Sequence, residues 1–366
     1  MRQRLSCFFS SRLNPPNNLA ILVIASGIFC FSVGCWLGDR FGPKETRHLE
    51  AIPVSTQQLL LCLAIAAAGF LSLFIKANEI LPFAPSGRWL NSVRYIVTHK
   101  QDIGYGYAAY LANIGFAGTF IAIRHSYGRT ALMLAALTLF FSIGSVIILA
   151  GRTYIILLAV LVTVALASRL QHKGEVTKPI LLILSISVIT IIFFASVSYI
   201  QPRFYISEAS PWTGIETHLL NYVPSALAAF SIQVENGNDL TYGQYTFRTI
   251  YAIFHRLGAN VEVASLVRPY VNVPFPTNTY TFFSPYYADF GWTGVLAASL
   301  GFGALTGAIA KIGICMSRPV ASMAFVILLY ALLMQFFQDQ YMSLLSQWVQ
   351  LLTATFLLSW KWEIRK

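Results

Sequence analysis

Residues 131–150 read ALMLAALTLFFSIGSVIILA, and none of these twenty side chains is charged. A helix needs about 20 predominantly apolar residues to cross the hydrocarbon core of a bilayer. Lipid offers the backbone no hydrogen-bond partner, so a continuous run of this kind is expected to be helical. The chain contains nine such runs, one of them short, and they predict spans at 19–37, 57–76, 103–123, 131–150, 153–168, 179–200, 285–309, 319–338 and 342–360.

The composition of the 366-residue chain leads to the same conclusion. Hydrophobic residues make up 56% of it and charged residues only 11%, whereas soluble domains carry about 25% charged residues. So little polar surface cannot cover a globule in water. The sequence therefore predicts an all-α polytopic membrane protein with about nine to ten transmembrane helices and excludes a soluble globular domain.

The distribution of basic residues predicts which segments face the cytoplasm. Cytoplasmic loops carry an excess of Lys and Arg, and we interpret the formal charge of +11 in this way before considering a nucleic-acid surface. The rule places the C-terminal tail and the loops 310–318, 168–178 and 124–129 inside, and 201–283 outside. The predicted divisions are a six-helix membrane part (1–200), a large external loop (201–283) and a three-helix membrane part (284–366).

The topology of the N-terminal third stays open. Nine spans put the two ends on opposite sides of the membrane, whereas Arg2, Arg4 and Arg12 favour a cytoplasmic N-terminus. One further passage at 77–102 would reconcile these observations. The apolar residues of that segment fall on one helical face, however, which is typical of a helix that lies in the membrane interface.

Arg152 is a basic residue at a predicted external turn, against the positive-inside trend. Its planar guanidinium matches phosphate oxygens, and Thr153 opens the next helix, whose first N–H groups also favour an anion. The sequence therefore predicts a phosphate site here. An arginine that extends its head to the membrane interface explains the same residue, and both interpretations stay open.

The external loop 201–283 combines aromatic side chains with arginines. Its stretch 242–248 reads YGQYTFR. Aromatic rings beside hydrogen-bonding groups suit sugars, which present a polar rim and apolar C–H faces; a compact loop with surface tyrosines explains the composition equally well. His255 and Glu262 follow, and each is either a candidate general base or a solvated side chain.

The predicted span 285–309 carries an acid near its start and glycines further along. Asp289 either caps the first turn of the helix, whose N–H groups favour an anion, or faces a site as a base or as a partner of an arginine. Gly303 and Gly307 are four residues apart and predict close packing against another helix. The five cysteines include no Cys-x-x-Cys pair, and neither a disulfide framework nor a metal site is expected.

Several short motifs between residues 140 and 310 resemble those of the Wzy-type O-antigen polymerases, which polymerise oligosaccharide repeat units. Gly151-Arg152-Thr153 is similar to a Gly-Ser-Arg element of that family, although Gly151 directly precedes the arginine and Thr153 stands where serine is common. Outside this part of the chain the likeness is one of hydropathy, and the N-terminus is short by about one span. The other matching motifs are Tyr242-Gly243 to Phe247-Arg248, Arg268-Pro269-Tyr270, Pro276, Asn278-Thr279-Tyr280-Thr281 and Asp289-Phe290-Gly291.

The resemblance implies a glycosyltransferase with a GT-C-like fold that needs neither metal nor cofactor. Such enzymes act on the periplasmic face of the bacterial inner membrane. They transfer the growing glycan from undecaprenyl pyrophosphate to the terminal sugar of a new lipid-linked repeat unit. The implied partners are that lipid-linked oligosaccharide, the lipid bilayer and a chain-length regulator protein, and no nucleic acid.

The roles of individual residues follow from the resemblance together with the chemistry of a pyrophosphate leaving group. We expect Arg152, Arg248 and Arg268 to hold the pyrophosphates. The candidates for the base that deprotonates the acceptor are, in order, Asp289, Glu262 and His255. The expected glycan-binding side chains are Tyr242, Tyr245, Asn278, Tyr280 and Tyr287. The competing functions are an O-antigen ligase of the same architecture and a polytopic lipid-glycan transporter.

Overall fold

The computed structural model describes residues 16–42, 54–83, 89, 92–93, 104–149, 151–171, 211–237, 239–265, 268–273, 275–314 and 319–360. Helices dominate this part of the chain. Its elements are α1 (Asn18–Phe41), α2 (Thr56–Ile80), a 3-10 turn (Leu81–Phe83), α3 (Tyr107–Arg124), α4 (Arg129–Leu149), α5 (Arg152–Gln171), α6 (Pro211–Asn236), α7 (Arg248–Arg256), β1 (Val271–Val273), β2 (Phe275–Thr277), α8 (Ser284–Ile314), α9 (Pro319–Leu333) and α10 (Leu345–Ser359).

Four of the described helices are long and apolar enough to cross a membrane: Asn18–Phe41, Thr56–Phe83, Arg129–Leu149 and Ser284–Ala310. Thr153–Arg169 and Pro319–Leu333 are apolar but shorter. The chain is thus a multi-pass, mostly helical membrane protein, and the prediction is confirmed in this form. The span predicted at 179–200 and most of the segment 77–102 lie outside the described residues. The number of spans and the division of the chain into the parts 1–200, 201–283 and 284–366 stay predictions.

Polar residues directly before two of the long helices set where those helices begin. The Asn17 side chain accepts a hydrogen bond of 2.9 Å from the backbone N–H of Leu19, which caps α1. Ser55 and Gln58 form a capping box at the start of α2, in which each side chain accepts from the other residue's backbone N–H. These bonds satisfy N–H groups that have no partner inside the helix.

The chain forms two compact units. The first comprises Met1–Lys44, Glu208–Lys311 and Leu328–Leu345, and the second comprises Glu45–Ser207, Ile312–Ile327 and Ser346–Lys366. Each unit therefore draws on separate parts of the sequence. In the second unit α2 packs against α3 so closely that a Cβ atom at Gly69 would lie 3.0 Å from the Cα of Ala112.

Arg124 in the second unit differs from its expected position in a cytoplasmic loop. It is the last residue of α3, and its side chain is buried. The guanidinium donates hydrogen bonds to the hydroxyls of Ser168, at 3.1 Å, and Ser322, at 2.8 Å. A cation that is buried needs such partners, so Arg124 contributes to the packing of this unit as well as to the basic excess.

In the first unit, α1 and α8 pack with their backbones in contact. A Cβ atom at Gly303 would collide with the carbonyl oxygen of Phe31, and one at Gly307 would collide with that of Cys35. The close packing predicted from the two glycines is confirmed. An aromatic cluster from α6, the turn before α8, α8 itself and the segment after α9 extends this core. Its largest members are Phe230, Phe282, Phe283, Tyr286 and Tyr341.

The segment expected as an external loop contains regular structure. It includes the 26-residue helix α6, the short helix α7, and a hairpin in which β1 and β2 pair antiparallel with Asn272 opposite Pro276. In the C-terminal half of α6, the side chains of Ala226, Ala229 and Phe230 are buried. The polar residues of α6 interrupt its apolar pattern, which is why hydropathy alone did not predict a helix here.

Candidate functional site

A cavity of about 290 Å³ lies in the first unit. Its wall is formed by the end of α6, the segment that follows it, the strand β1 with the residues before it, and the first turns of α8. The lining residues are Ala229, Ile232, Gln233, Asn236, Asp239, Thr241, Tyr245, Arg268, Pro269, Val271, Tyr280 and Ala288. The cavity thus combines one arginine and one carboxylate with amides, phenol rings and hydroxyls.

Arg268 is the cation of this cavity, and it stacks on aromatic rings. Its Cζ atom lies 3.8 Å from the centre of the Tyr245 ring and 5.9 Å from that of Tyr280. Burial lowers the pKa of the Arg268 guanidinium, and the phenols of Tyr245 and Tyr280 and the carboxylate of Asp289 partly oppose this shift. An arginine remains charged at neutral pH even so. The cavity therefore presents a fixed positive charge with a planar face.

Two polar residues hold the guanidinium in place. An Nη atom of Arg268 donates a 3.0 Å hydrogen bond to the Ser284 hydroxyl. That hydroxyl donates to the side-chain oxygen of Gln233 at 2.6 Å, and the Gln233 amide donates to the backbone oxygen of Ser284 at 3.1 Å. Ser284 begins α8 and Gln233 belongs to α6. The position of the charge is thus fixed by two helices.

Asp289 is fully buried and organises the wall that carries Tyr245. Its carboxylate accepts hydrogen bonds from the Thr241 hydroxyl at 2.5 Å, from the Tyr245 N–H at 3.2 Å and from the Thr246 N–H at 2.6 Å. The turn between them is tight, since Tyr242 has a φ of 48°. The predicted role of Asp289 as a base stays a prediction; in the structure both of its oxygens accept hydrogen bonds from the loop 241–246.

The hairpin presents the second ring of the cavity. Tyr280 follows β2 and is buried, and its hydroxyl donates a 3.1 Å hydrogen bond to the backbone oxygen of Pro269. Burial raises the pKa of this phenol, and the charge of Arg268 lowers it. The ring is therefore a neutral, fixed surface beside the cation.

The other predicted catalytic and phosphate-binding residues of the first unit lie elsewhere. His255 and Glu262 are exposed, and the His255 ring contacts the backbone oxygen of Val261 at 3.0 Å. Arg248 begins α7, where its Nε atom donates to the Ala264 oxygen at 2.8 Å, and burial lowers its pKa. None of the three is among the described residues that line the cavity.

The predicted glycan-binding residues divide in the same way. Tyr245 and Tyr280 line the cavity. Tyr242 is exposed, Asn278 is half-buried beside the hairpin, and Tyr287 packs its ring edge-on against Phe230 in the core, at 5.7 Å between ring centres. Tyr287 is thus half-buried against the core, and its expected role in binding glycan stays a prediction.

Arg152 begins α5 in the second unit, and its side chain lies outside the described residues. Its predicted contact with phosphate stays a prediction. Among the residues that the structure does describe, no group of three or more His, Cys, Asp and Glu side chains is arranged to hold a metal ion.

Sequence reasoning missed the contribution of α6 to the site. Gln233 and Asn236 are three residues apart and so share one helix face, and Asp239 follows shortly after the helix ends. This spacing was the available signal, but it has meaning only once the segment is known to be helical.

No family model matches the chain, and no curated protein or solved structure is significantly similar to it.

Proposed function

We propose that this protein polymerises lipid-linked oligosaccharide repeat units on the periplasmic face of the bacterial inner membrane. It transfers the growing glycan from undecaprenyl pyrophosphate to the terminal sugar of a new unit that is linked to the same carrier. The observation that carries the proposal is the stacked, hydrogen-bonded Arg268 in a cavity whose floor is the beginning of α8. A charge fixed beside the start of a membrane-spanning helix suits a substrate that joins a lipid, a pyrophosphate and a sugar.

The lining of the cavity supports a glycan as the part of the substrate that enters it. Tyr245 and Tyr280 offer ring surface to sugar C–H groups. Gln233 and Asn236 offer amide groups that both donate and accept hydrogen bonds, as sugar hydroxyls do. The volume of about 290 Å³ lies at the lower end of the range for small-molecule sites, so we expect it to hold the sugar at the reacting end.

The reaction forms one bond and breaks one. The acceptor hydroxyl oxygen attacks the anomeric carbon of the donor sugar, while the bond from that carbon to the pyrophosphate oxygen breaks and leaves its electron pair on the pyrophosphate. Arg268 stabilises the negative charge that develops there, because its guanidinium is already oriented before the reaction. The proton of the acceptor hydroxyl passes to a base.

In this proposal the base is Asp239. It is the carboxylate that lines the cavity, and the residue is exposed, so its oxygens are accessible to an acceptor hydroxyl. Asp289 acts instead by positioning Tyr245, since it is fully buried and accepts hydrogen bonds from the backbone N–H groups of Tyr245 and Thr246.

The test replaces Arg268 in cells that lack their own polymerase, and polymer length is read from a gel. At normal expression, Arg268→Ala should leave single-repeat products, because loss of one oriented donor typically lowers turnover by about 10²–10³-fold. Arg268→Lys should restore little, since an ammonium group has neither the planar fork nor the stacking face. Arg256→Ala is the matched control, because this exposed arginine of the same segment does not line the cavity. If Arg268→Ala produced polymer of the same length as the wild type, the proposal would be wrong.

A purified-protein assay separates the proposed function from its two competitors. The wild-type protein in detergent, given lipid-linked repeat units, should produce longer glycans on the same carrier. Transfer to a lipid A core acceptor without such elongation would indicate a ligase. Absence of any glycosidic bond formation, together with movement of the substrate across a vesicle membrane, would indicate a transporter.

A further inference from the structure

Helix α7 has its apolar side turned away from the protein. The exposed residues on this side are Phe247 at its N-cap, Ile250, Ile253, Phe254 and, just past its end, Leu257. At about 100° per residue these positions fall within about one third of the helix circumference. Ile253 is 53% and Leu257 is 77% exposed. A helix that covers a protein core would bury this side, so α7 needs a different apolar partner.

The opposite side of α7 is polar and partly faces the protein. Arg248 is half-buried and bonded to the backbone of Ala264, and Tyr251 donates a 3.3 Å hydrogen bond to the Tyr242 oxygen. His255 and Arg256 near the end of the helix are exposed. These contacts fix the orientation of α7. Its apolar side then points away from the protein, and His255 and Arg256 lie beside that apolar side.

The attachment of α7 lies where α8 becomes a membrane-spanning helix. The N–H groups of Thr241 and Tyr242 donate to the backbone oxygens of Ala288 and Asp289, each at 3.2 Å. The Phe247 ring packs at 6.4 Å from the Phe290 ring. Residues 288–290 are within the first turns of the apolar segment Ser284–Ala310, so the contacts that hold the start of α7 lie at the beginning of a helix long and apolar enough to cross the membrane.

We propose that α7 binds the membrane surface, with its apolar side inserted at the boundary between headgroups and acyl chains. Helices with an apolar face and basic residues on the polar face bind bilayers in this way. Exposed Tyr242 and Trp292 lie near the same end of α8, and such rings concentrate at membrane interfaces. Phospholipid with anionic headgroups is the partner that fits both the charge of Arg256 and the apolar side of α7. The inference depends on the membrane character of the chain and is independent of the proposed transferase activity.

The test places a spin label on either side of α7 in the full chain. The five native cysteines are replaced, and Ile253→Cys or Arg256→Cys is introduced, labelled and reconstituted in nanodiscs of phosphatidylethanolamine and phosphatidylglycerol. Collision with oxygen, which concentrates in acyl chains, is compared with collision with a water-soluble nickel chelate. We expect the label at 253 to meet oxygen more often and the chelate less often than the label at 256, because the apolar side of an interfacial helix lies among acyl chains.

Both positions are exposed, so the labels should leave folding intact, and a single elution peak for each labelled protein checks this. A label at 253 that meets the chelate as often as the label at 256 would show that the side is in water. A label at 253 that is protected from both reagents would show that protein covers it, either another segment of this chain or a second copy. Either result overturns the proposal.

Discussion

Replacement of Asp289 tests whether this buried carboxylate positions the site or performs chemistry in it. Its oxygens accept three hydrogen bonds, two of them from the backbone N–H groups of Tyr245 and Thr246. Asp289→Asn keeps the shape of the side chain but offers only one oxygen. Its amide nitrogen is a donor, so it must face at least one N–H or hydroxyl donor that the carboxylate now satisfies.

The structure sets the size of the expected effect. A hydrogen bond to a charged group contributes about 1.5–3 kcal/mol, and a buried donor left without an acceptor costs about 1–3 kcal/mol. Asp289→Asn, which loses one or two of the three bonds, should lower the free energy of unfolding of the first unit by about 2–4 kcal/mol. Asp289→Ala should cost about 3–5 kcal/mol, less than the sum of three bonds because the loop relaxes.

The assay combines thermal unfolding in detergent with elongation kinetics. If Asp289 positions Tyr245 and Thr246, Asp289→Asn should unfold at a lower temperature and raise KM, while the pH profile of turnover keeps its wild-type shape. Asp239→Asn is the matched control. Because Asp239 is exposed at the cavity, this change should leave the unfolding temperature unaltered and abolish turnover.

The opposite pattern would refute the positioning role. Asp289 would be identified as the base if Asp289→Asn kept the wild-type unfolding temperature and the wild-type KM and lowered only kcat. Wild-type turnover by Asp239→Asn would remove Asp239 from the proposed reaction. The two variants together therefore distinguish the carboxylate that holds the cavity wall from the one that takes the proton.

Two glycines of α8 give further predictions. Gly291 has φ 63° and ψ −151°, a conformation essentially restricted to glycine, so Gly291→Ala should cost about 1–3 kcal/mol and lower the unfolding temperature; an unchanged temperature would contradict the strain. Gly303→Ala places a methyl group against the backbone of α1, whereas one at Gly301 meets nothing within 4 Å. The first should destabilise by about 1–3 kcal/mol and the second should not, and equal unfolding temperatures for the two variants would refute the close packing.

The membrane helices were predictable from sequence because the bilayer imposes a simple requirement. Twenty apolar residues in a row have few alternatives to a spanning helix, and the runs at 19–37 and 131–150 coincide with α1 and α4. Helix α6 was missed because polar residues interrupt its apolar residues, so that no part of it forms the long apolar run that predicts a span. Such a pattern gives no hydropathy signal, and only the tertiary contacts of α6 explain it.

The candidate site was predictable in its residue types but only partly in its arrangement. Arg268, Tyr245 and Tyr280 were expected in the site and meet in the cavity. Gln233 and Asp239 were not expected, because the sequence did not predict helix α6 and so gave no sign that the end of this helix lies beside Arg268. For Asp289, sequence reasoning left open whether it caps a helix or faces the site. The structure adds a third arrangement, in which the carboxylate caps the separate loop 241–246.

The first seven residues of α8 explain how one segment holds the whole site. Gly291 interrupts the helix after Phe290, so the seven form a short piece distinct from the long apolar helix that follows. Ser284 bonds Arg268 and Gln233, while Asp289 holds the loop that carries Tyr245. On another side of the same piece, the Tyr286 hydroxyl donates a 2.9 Å hydrogen bond to Asp339 after α9.

These attachments join the cation, the aromatic wall and the core to one short helical piece at the beginning of a membrane helix. A shift of α8 along its axis would therefore move Arg268 and Tyr245 together and keep their stacking distance. Because the helix is interrupted at Gly291, the rest of α8 can move without moving the site as long as Asp339 holds the seven-residue piece in place. Gly291→Ala, which strains the junction, and Asp289→Asn, which loses bonds to the loop, should for that reason both raise KM.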